Sequence, residues 1–393
     1  MMKTYYIITL FLMLCCIGCL KDEKESLPVR IQMVFPEELQ QVDKSGVNVK
    51  LFNTTTGLTY NMVTDASGIA VANVEYGFYE AIAQKKYHTG SEVRIVNGRI
   101  ENMILTPENG DNKELYSMDL ISAVLPQLVI KEIYYAGCLD DMGNNYNKDT
   151  YISIYNNSSE EASLDSLCIA CVNPLTSANG STFIKEDGSL MDKLPLAYLA
   201  WQVPAGSAKV LKPGEEVIMA INAVNHEQRA SHSVNLAVAD YAFWDADLTK
   251  EEVPAPGVVP LLKFWKEGTS TAFSVSQTGP AMILFKIKGT SATEYAGDPG
   301  NLMKDPAKPN LNTRYLMIPS DWVIDGVECV ISRAQANKRL TTNVDAGFIF
   351  MENQNEGLAV VRKIESVEGG RIVYRDTNNS SEDFEVKPAS LKK

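Results

Sequence analysis

From Pro28 onward the chain alternates apolar and polar residues in short runs: VRIQMVF (29–35), GVNVKLFN (46–53), LTYNMVT (58–64), IAVANVE (69–75), FYEAIAQKK (78–86), SEVRIV (91–96) and RIENMILT (99–106). A period of two places successive side chains on opposite faces of a strand. Turn residues punctuate the runs about every eight to twelve positions, the spacing of a β-sandwich. The pattern predicts a sandwich over 28–107. Residues 108–126 lose the alternation, carrying charge first and then an apolar patch, and read as a linker. A second series begins at 127 with LVIKEIYYAGC (128–138) and TYISIYNN (150–157), and it returns in WQVPAGSAKVLKPGEEVIMAINA (201–223), GPAMILFKI (279–287) and IPSDWVIDGVECV (318–330). Between them, 224–275 breaks the pattern. There NHEQRASHSVNLAVADYAF and DLTKEEV suggest short helices inside a long decorated insertion, a plausible binding feature. The predicted class is all-β, with two Ig-like β-sandwich domains in series, 28–107 and 127–393.

The first residues follow a different grammar. One positive charge, Lys3, precedes the apolar run YYIITLFLMLCCI, which is broken only by Thr9. A span needs roughly 20 apolar residues, so the run is too short and reads as a secretory signal. CIGC at 16–19 resembles the bacterial lipobox, with Cys16 where leucine is usual. The resemblance implies that residues 1–18 are removed and that Cys19 carries the lipid, a diacylglycerol with a further acyl chain such as palmitate. Residues 19–27 then form an acidic tether. LKDEKES behind Cys19 resembles the lysine-plus-acidic signal that sends Bacteroidota lipoproteins to the cell surface, which implies an outer-membrane, lipid-anchored address.

Three further resemblances concern the body of the chain. TDASG (64–68) before a strand and GFY (77–79) at the next resemble the transthyretin-like or carboxypeptidase regulatory-like module, a stalk in which Asp65 would cap a turn. The strand ending in KEI, then YISIYNNS with a following LD-x-L, resemble the lamin-tail type of Ig-like domain, as do the later proline and glycine turns. With YRDTNNSSEDFEVKPASL (374–391) and SVNLAVADYAFWDAD (233–247), the whole arrangement resembles an uncharacterised Bacteroidota lipoprotein family, domain of unknown function 4876.

Composition narrows the chemistry. The formal charge is −13, or −14 once Lys3 leaves, so the surface repels nucleic acid, and nucleic-acid binding is rejected. Cys138, Cys168, Cys171 and Cys329 remain behind the signal. Cys168-Ile-Ala-Cys171 has CxxC spacing, but LDSLCIACVN reads as a strand, whose residues three apart face opposite ways, and no second pair completes a zinc site. Buried thiols follow. His88, His226 and His232 are the entire histidine inventory. The six-residue spacing of the last two does not match HExxH, and both read as solvated loop residues. No GxSxG, SxxK or P-loop string occurs.

The remaining candidates carry structural readings beside the functional ones. Asp140, Asp141, Asn145, Asn147 and Asp149 concentrate oxygen donors of the kind calcium selects, although turn chemistry accounts for such a loop equally well. Tyr241, Phe243, Trp244, Phe264 and Trp265 fall in or beside the insertion. Exposed, they would bind a ligand such as a glycan or dock a partner; buried, they would fill a core. Trp201 and Trp322 lie in strand-like blocks and read as core. Asp165-Ser166-Leu167 resembles an O-glycosylation signal of exported Bacteroidota proteins, with Ser166 as acceptor. The expectation is a non-catalytic, lipid-anchored surface protein that binds a glycan or partners an outer-membrane transporter. The alternatives are a hydrolase with its site in the insertion, or a structural envelope spacer, and exposure of Trp244 and Trp265 separates display from spacer.

Overall fold

A computed structural model describes residues 26–89, 92–106 and 115–391. The signal segment, Cys19, most of the tether and residues 107–114 lie outside the described residues. The described chain falls into two compact units, the smaller formed by 26–34, 41–81, 100–106 and 115–118, the larger by 35–40, 82–89, 92–99 and 119–391.

In the smaller unit, the alternation of the sequence becomes alternation of burial. Ser26–Val34 buries every second residue and pairs antiparallel with Ile69–Glu75. Val29, Ile31 and Met33 point inward with Ala70 and Val74, while Asn48–Asn53 turns in Val49 and Leu51 and pairs with Thr59–Val63. Asp65 caps its turn as expected, accepting from the amides of Ser67 (2.8 Å) and Ile69 (3.0 Å). Two boundaries differ from the sequence reading. SEVRIV and RIENMILT belong to one strand, Glu92–Leu105, which runs through the turn-like Asn97-Gly98 pair. Asn97 is buried and donates to Thr377 O at 2.9 Å, which removes its reason to turn. The supposed linker also contains strands Tyr116–Asp119 and Ile121–Val124, the latter paired with Arg94–Asn97.

The larger unit is a thick sandwich. One sheet has the strand order Val259–Pro260, Tyr241–Ala242, Glu216–Ala220, Tyr151–Asn156, Leu128–Tyr134, Leu358–Arg362, Phe384–Pro388. The other centres on Lys193–Gln202, Cys168–Val172, Ala281–Phe285 and Val323–Val330. Ile152, Ile154, Ile169, Cys171, Met219 and Leu284 share the core between them with Trp201, which meets Phe243 and Phe273 edge-on at 5.8 and 5.7 Å. The phase of Leu128–Tyr134 slips near Lys131: Ile130 and Ile133 both face this core because the register shifts between Ser153 and Ile154 on the neighbouring strand. A bulge of this kind re-aims the residues beyond it.

Both sheets are also covered on their outer faces, so Tyr151–Asn156 and Cys168–Val172 are buried at every position. Tyr134, Tyr151, Ala220 and Ala242 pack under Val234, Leu236 and Val258 of the insertion, whose helical content is two 3-10 turns, His226–Gln228 and Leu236–Val238. Cys168, Ala170 and Phe285 pack beneath the short helix Ala292–Gly297. Strands buried on both sides read as continuous apolar runs, not as alternation.

Two arginines are buried among these layers. Arg339 is held by Glu328 Oε1 (2.8 Å) and by the carbonyls of Pro174, Gly279 and Cys329. Arg362 donates to Ile130 O (2.8 Å), Arg375 O (3.1 Å), Asp325 Oδ2 (2.5 Å) and Asp376 Oδ1 (3.2 Å), with Asp383 Oδ2 at 3.7 Å. The Arg362 side chain and the three carboxyls are each at most 4% exposed. One guanidinium faces three carboxyls, and burial pushes Asp325 up to about 6 and Asp383 up to about 7 against the opposing pull of the arginine.

Candidate binding surface

The aromatic candidates of the insertion do not form an exposed platform. Tyr241 and Phe243 are fully buried, Phe264 and Trp265 are 8% and 7% exposed, and only Trp244 is half-buried, against the outer layer. They also separate: Tyr241 and Phe243 belong to the inter-sheet core, Phe264 and Trp265 to the opposite outer layer. The reason is chain direction, since Leu262–Lys266 leaves the insertion to pair with Lys193–Gln202 of the other sheet. Trp201 is core as expected, while Trp322 is half-buried and tilted against Tyr295 at 5.2 Å. Ser166 is exposed on the turn that precedes Cys168–Val172, with φ of 60°. Cys168 and Cys171 face different cores, and all four described cysteines are buried free thiols.

The oxygen donors of 139–149 do not converge either. Asp140 Oδ1 accepts from the amides of Met142 and Asn144 at 2.9 and 2.8 Å, and Asp141 Oδ1 accepts from Ser231 N (2.9 Å) and Oγ (2.5 Å). These bonds hold both carboxyls below the usual carboxylate range, the Asn144 amide leading for Asp140 and the Ser231 hydroxyl for Asp141. Asn147 donates to Gln277 Oε1 (3.3 Å), and Asn145 is exposed in the two-residue strand Asn145–Tyr146. Asp149 points the other way, fully buried, its Oδ2 accepting from Tyr134 Oη (3.0 Å) and Ser233 Oγ (2.5 Å). The candidate donors thus point apart, with Asp140 and Asp141 engaged in turn and loop hydrogen bonds and Asp149 turned into the interior. Among the described residues no three His, Cys, Asp or Glu side chains group as a metal cradle.

These same bonds build a rigid loop surface at one end of the larger unit. The hairpin Cys138–Leu139/Asn145–Tyr146 requires Gly137, which has φ of 74° and whose Cβ would lie 2.3 Å from Tyr146 O. Its apex is stapled to the insertion by Asp141–Ser231, and its base by Tyr146, whose hydroxyl meets His226 Nδ1 at 2.7 Å. His226 is accordingly buried, not the solvated residue expected from its polar neighbours, and its Nε2 lies 2.8 Å from Asn222 O. Burial holds its pKa below the ordinary value. His232 is exposed. Arg229 forks onto Glu252, and that pairing holds the Glu252 carboxyl low. Glu251, next in the chain, is pushed up to about 7 by burial while accepting from Phe273 N at 2.8 Å. Gln277 joins the cluster through Ala136 O at 3.0 Å and Asn355 Oδ1 at 3.4 Å.

The stapled loops hold out apolar side chains, most of all Met142, 84% exposed at the hairpin apex, and Val253, 71% exposed after Glu252. Sequence reasoning passed over both. The available signal was a large apolar residue flanked by charged and turn-forming ones, DDMGNN and KEEVP.

Residues 212–390 match the family model described as "Protein of unknown function (DUF4876)". A crystal structure of a DUF4876 family protein from Bacteroides thetaiotaomicron is similar over 93% of this chain and 99% of that chain, with 22% identity and a TM-score of 0.60, a likeness of fold. A variant of the major pilin subunit of Bacillus cereus aligns over 49% of this chain and 52% of its own, at 15% identity and a TM-score of 0.19. No curated protein matches the chain.

Proposed function

We propose that this chain, which through residues 212–390 belongs to the DUF4876 family, is a non-catalytic, lipid-anchored surface protein that engages an outer-membrane transporter or a glycan through the loop end of its larger unit. What supports the binding role is one observation: a hairpin stapled at its apex by Asp141–Ser231 and at its base by Tyr146–His226 presents Met142 to solvent. Ordered loops lose little freedom on binding, which is the usual route to affinity on a small area. The alternative is a hydrolytic role for the insertion, where Glu252 is forked onto Arg229 and Glu251, pushed up to about 7 by burial, accepts from the Phe273 amide through one oxygen only. Anchorage rests on the CIGC context at 16–19 and the address on the acidic tether behind it.

Two measurements test the reading. Cells expressing the full chain are fed an alkyne palmitate analogue; labelling is expected and should vanish in Cys19→Ala, and an unlabelled or soluble wild type overturns the anchor. Outer-membrane extract and a glycan array are then probed with wild type and Met142→Asp. A captured barrel protein or glycan lost in the variant supports the loop surface. Burial of Tyr241, Phe243, Phe264 and Trp265 favours a second reading, an envelope spacer without ligand. Identical, empty captures by both proteins would establish it.

A further inference from the structure

Away from the loop end, and sharing no residue with it, the larger unit contains a cleft of about 500 Å³. This lies within the roughly 300–1,000 Å³ range of small-molecule sites. Three of its eight lining residues are methionine, in a chain with 14 in 393, so thioethers are concentrated here about tenfold. They come from three separate segments. Met317 lies in Arg314–Pro319, Met303 in Leu302–Lys304 paired antiparallel beside it, and Met191 follows the Ile184–Leu190 bridge. Met317 is 4% exposed and packs with Phe183 and Tyr315, whose rings meet edge-on at 5.3 Å. Met191 and Met303 are half-buried against that group. A floor backed by fixed rings and walls of unbranched, polarisable side chains accommodates an apolar body of variable shape.

The rim sets the polarity of the ligand. Lys185 and Asp192 pair at 2.7 Å with side chains 41% and 80% exposed, a solvated pair of small worth. Lys193 is exposed, and among the described residues no ion pair engages its ammonium. The three rim charges therefore leave one positive charge beside an apolar floor, on a chain whose formal charge is −13. The net charge of the chain disfavours anions, whereas the charged lining of this cleft has the opposite sign.

The geometry points to this cleft as a binding site for an amphiphilic carboxylate, an alkyl or aryl chain seated on Met191, Met303 and Met317 with its anionic head at Lys193. The test uses the full chain and decanoate below its micellar range, with decanol as the neutral analogue, both read by calorimetry. Decanoate is expected to bind with one site per chain and at least tenfold more tightly than decanol. Lys193→Glu, at an exposed position, should weaken decanoate tenfold or more and leave decanol unchanged. Met303→Glu should abolish both, with unchanged melting temperature as the check on folding. Equal affinity for decanoate and decanol, a Lys193→Glu variant that binds as wild type does, or no measurable binding of decanoate overturns the proposal.

Discussion

Replacing Arg362 with methionine keeps the length and apolar bulk of the side chain and removes the guanidinium that faces Asp325, Asp376 and Asp383. Two consequences add. The buried carbonyl of Ile130 loses its donor, at roughly 1–3 kcal/mol for a buried group left unsatisfied, and the half-buried one of Arg375 loses its donor as well. The carboxyls lose the guanidinium they are paired with, and breaking a buried ion cluster from one side costs roughly 3–5 kcal/mol. Together these approach the ~5–15 kcal/mol that holds a typical domain folded. The second cost depends on pH. In the native chain Asp325 and Asp383 keep their protons to about 6 and 7, above the ordinary value of 3.8. The unfolded chain therefore sheds protons first, and native stability falls as pH rises from about 4 to about 7. Without Arg362 both carboxyls hold their protons to still higher pH, so the fall steepens and extends. Urea unfolding followed by the fluorescence of buried Trp201 should show a deficit of about 2 kcal/mol or more at pH 5 that grows to at least about 5 kcal/mol at pH 7.5. A deficit that shrinks between pH 5 and 7.5, or one below about 1 kcal/mol at pH 7.5, would refute the reasoning.

Two further outcomes follow from buried groups. His226 has its pKa depressed by burial, so the unfolded chain takes up the proton first as pH falls below the ordinary 6.5, and the stability this residue contributes is lost on acidification. His226→Gln should cost roughly 1–2 kcal/mol at pH 8 and less at pH 5 in paired urea curves, while a constant difference would contradict the assignment. Burial pushes the thiols of Cys168 and Cys171 up to about 12 and that of Cys138 up to about 11. Iodoacetamide at pH 8 should label these sites only after denaturation, and peptide mapping that finds Cys168 modified in the native chain would count against its buried placement.

The sequence was most legible where one face of a strand meets water. In Ser26–Val34 and Asn48–Asn53 inward and outward residues alternate, and TDASG names its own turn. Where both faces are covered that signal disappears, because an apolar run carries no parity. The aromatic group around 241–265 was readable as apolar but not as divided between two cores, since the division depends on Leu262–Lys266 crossing to the other sheet. Asp149 is buried, and so is His226 where a solvated residue is expected, for a related reason. Their partners Ser233 and Tyr146 lie 84 and 80 positions away, and the polar residues beside them describe the loop, not the hydrogen bond. Arg362 was illegible altogether, for nothing near it announces Asp325, 37 positions earlier.

The seven-stranded sheet ends at Val259–Pro260 on one side and Phe384–Pro388 on the other, and each border strand closes on a residue that has no amide hydrogen to offer. A neighbouring molecule that tried to extend the ladder would meet an interrupted row of donors on either flank, a device that keeps sheets from templating one another. Between copies of this chain, that interruption works against fibre formation through this sheet.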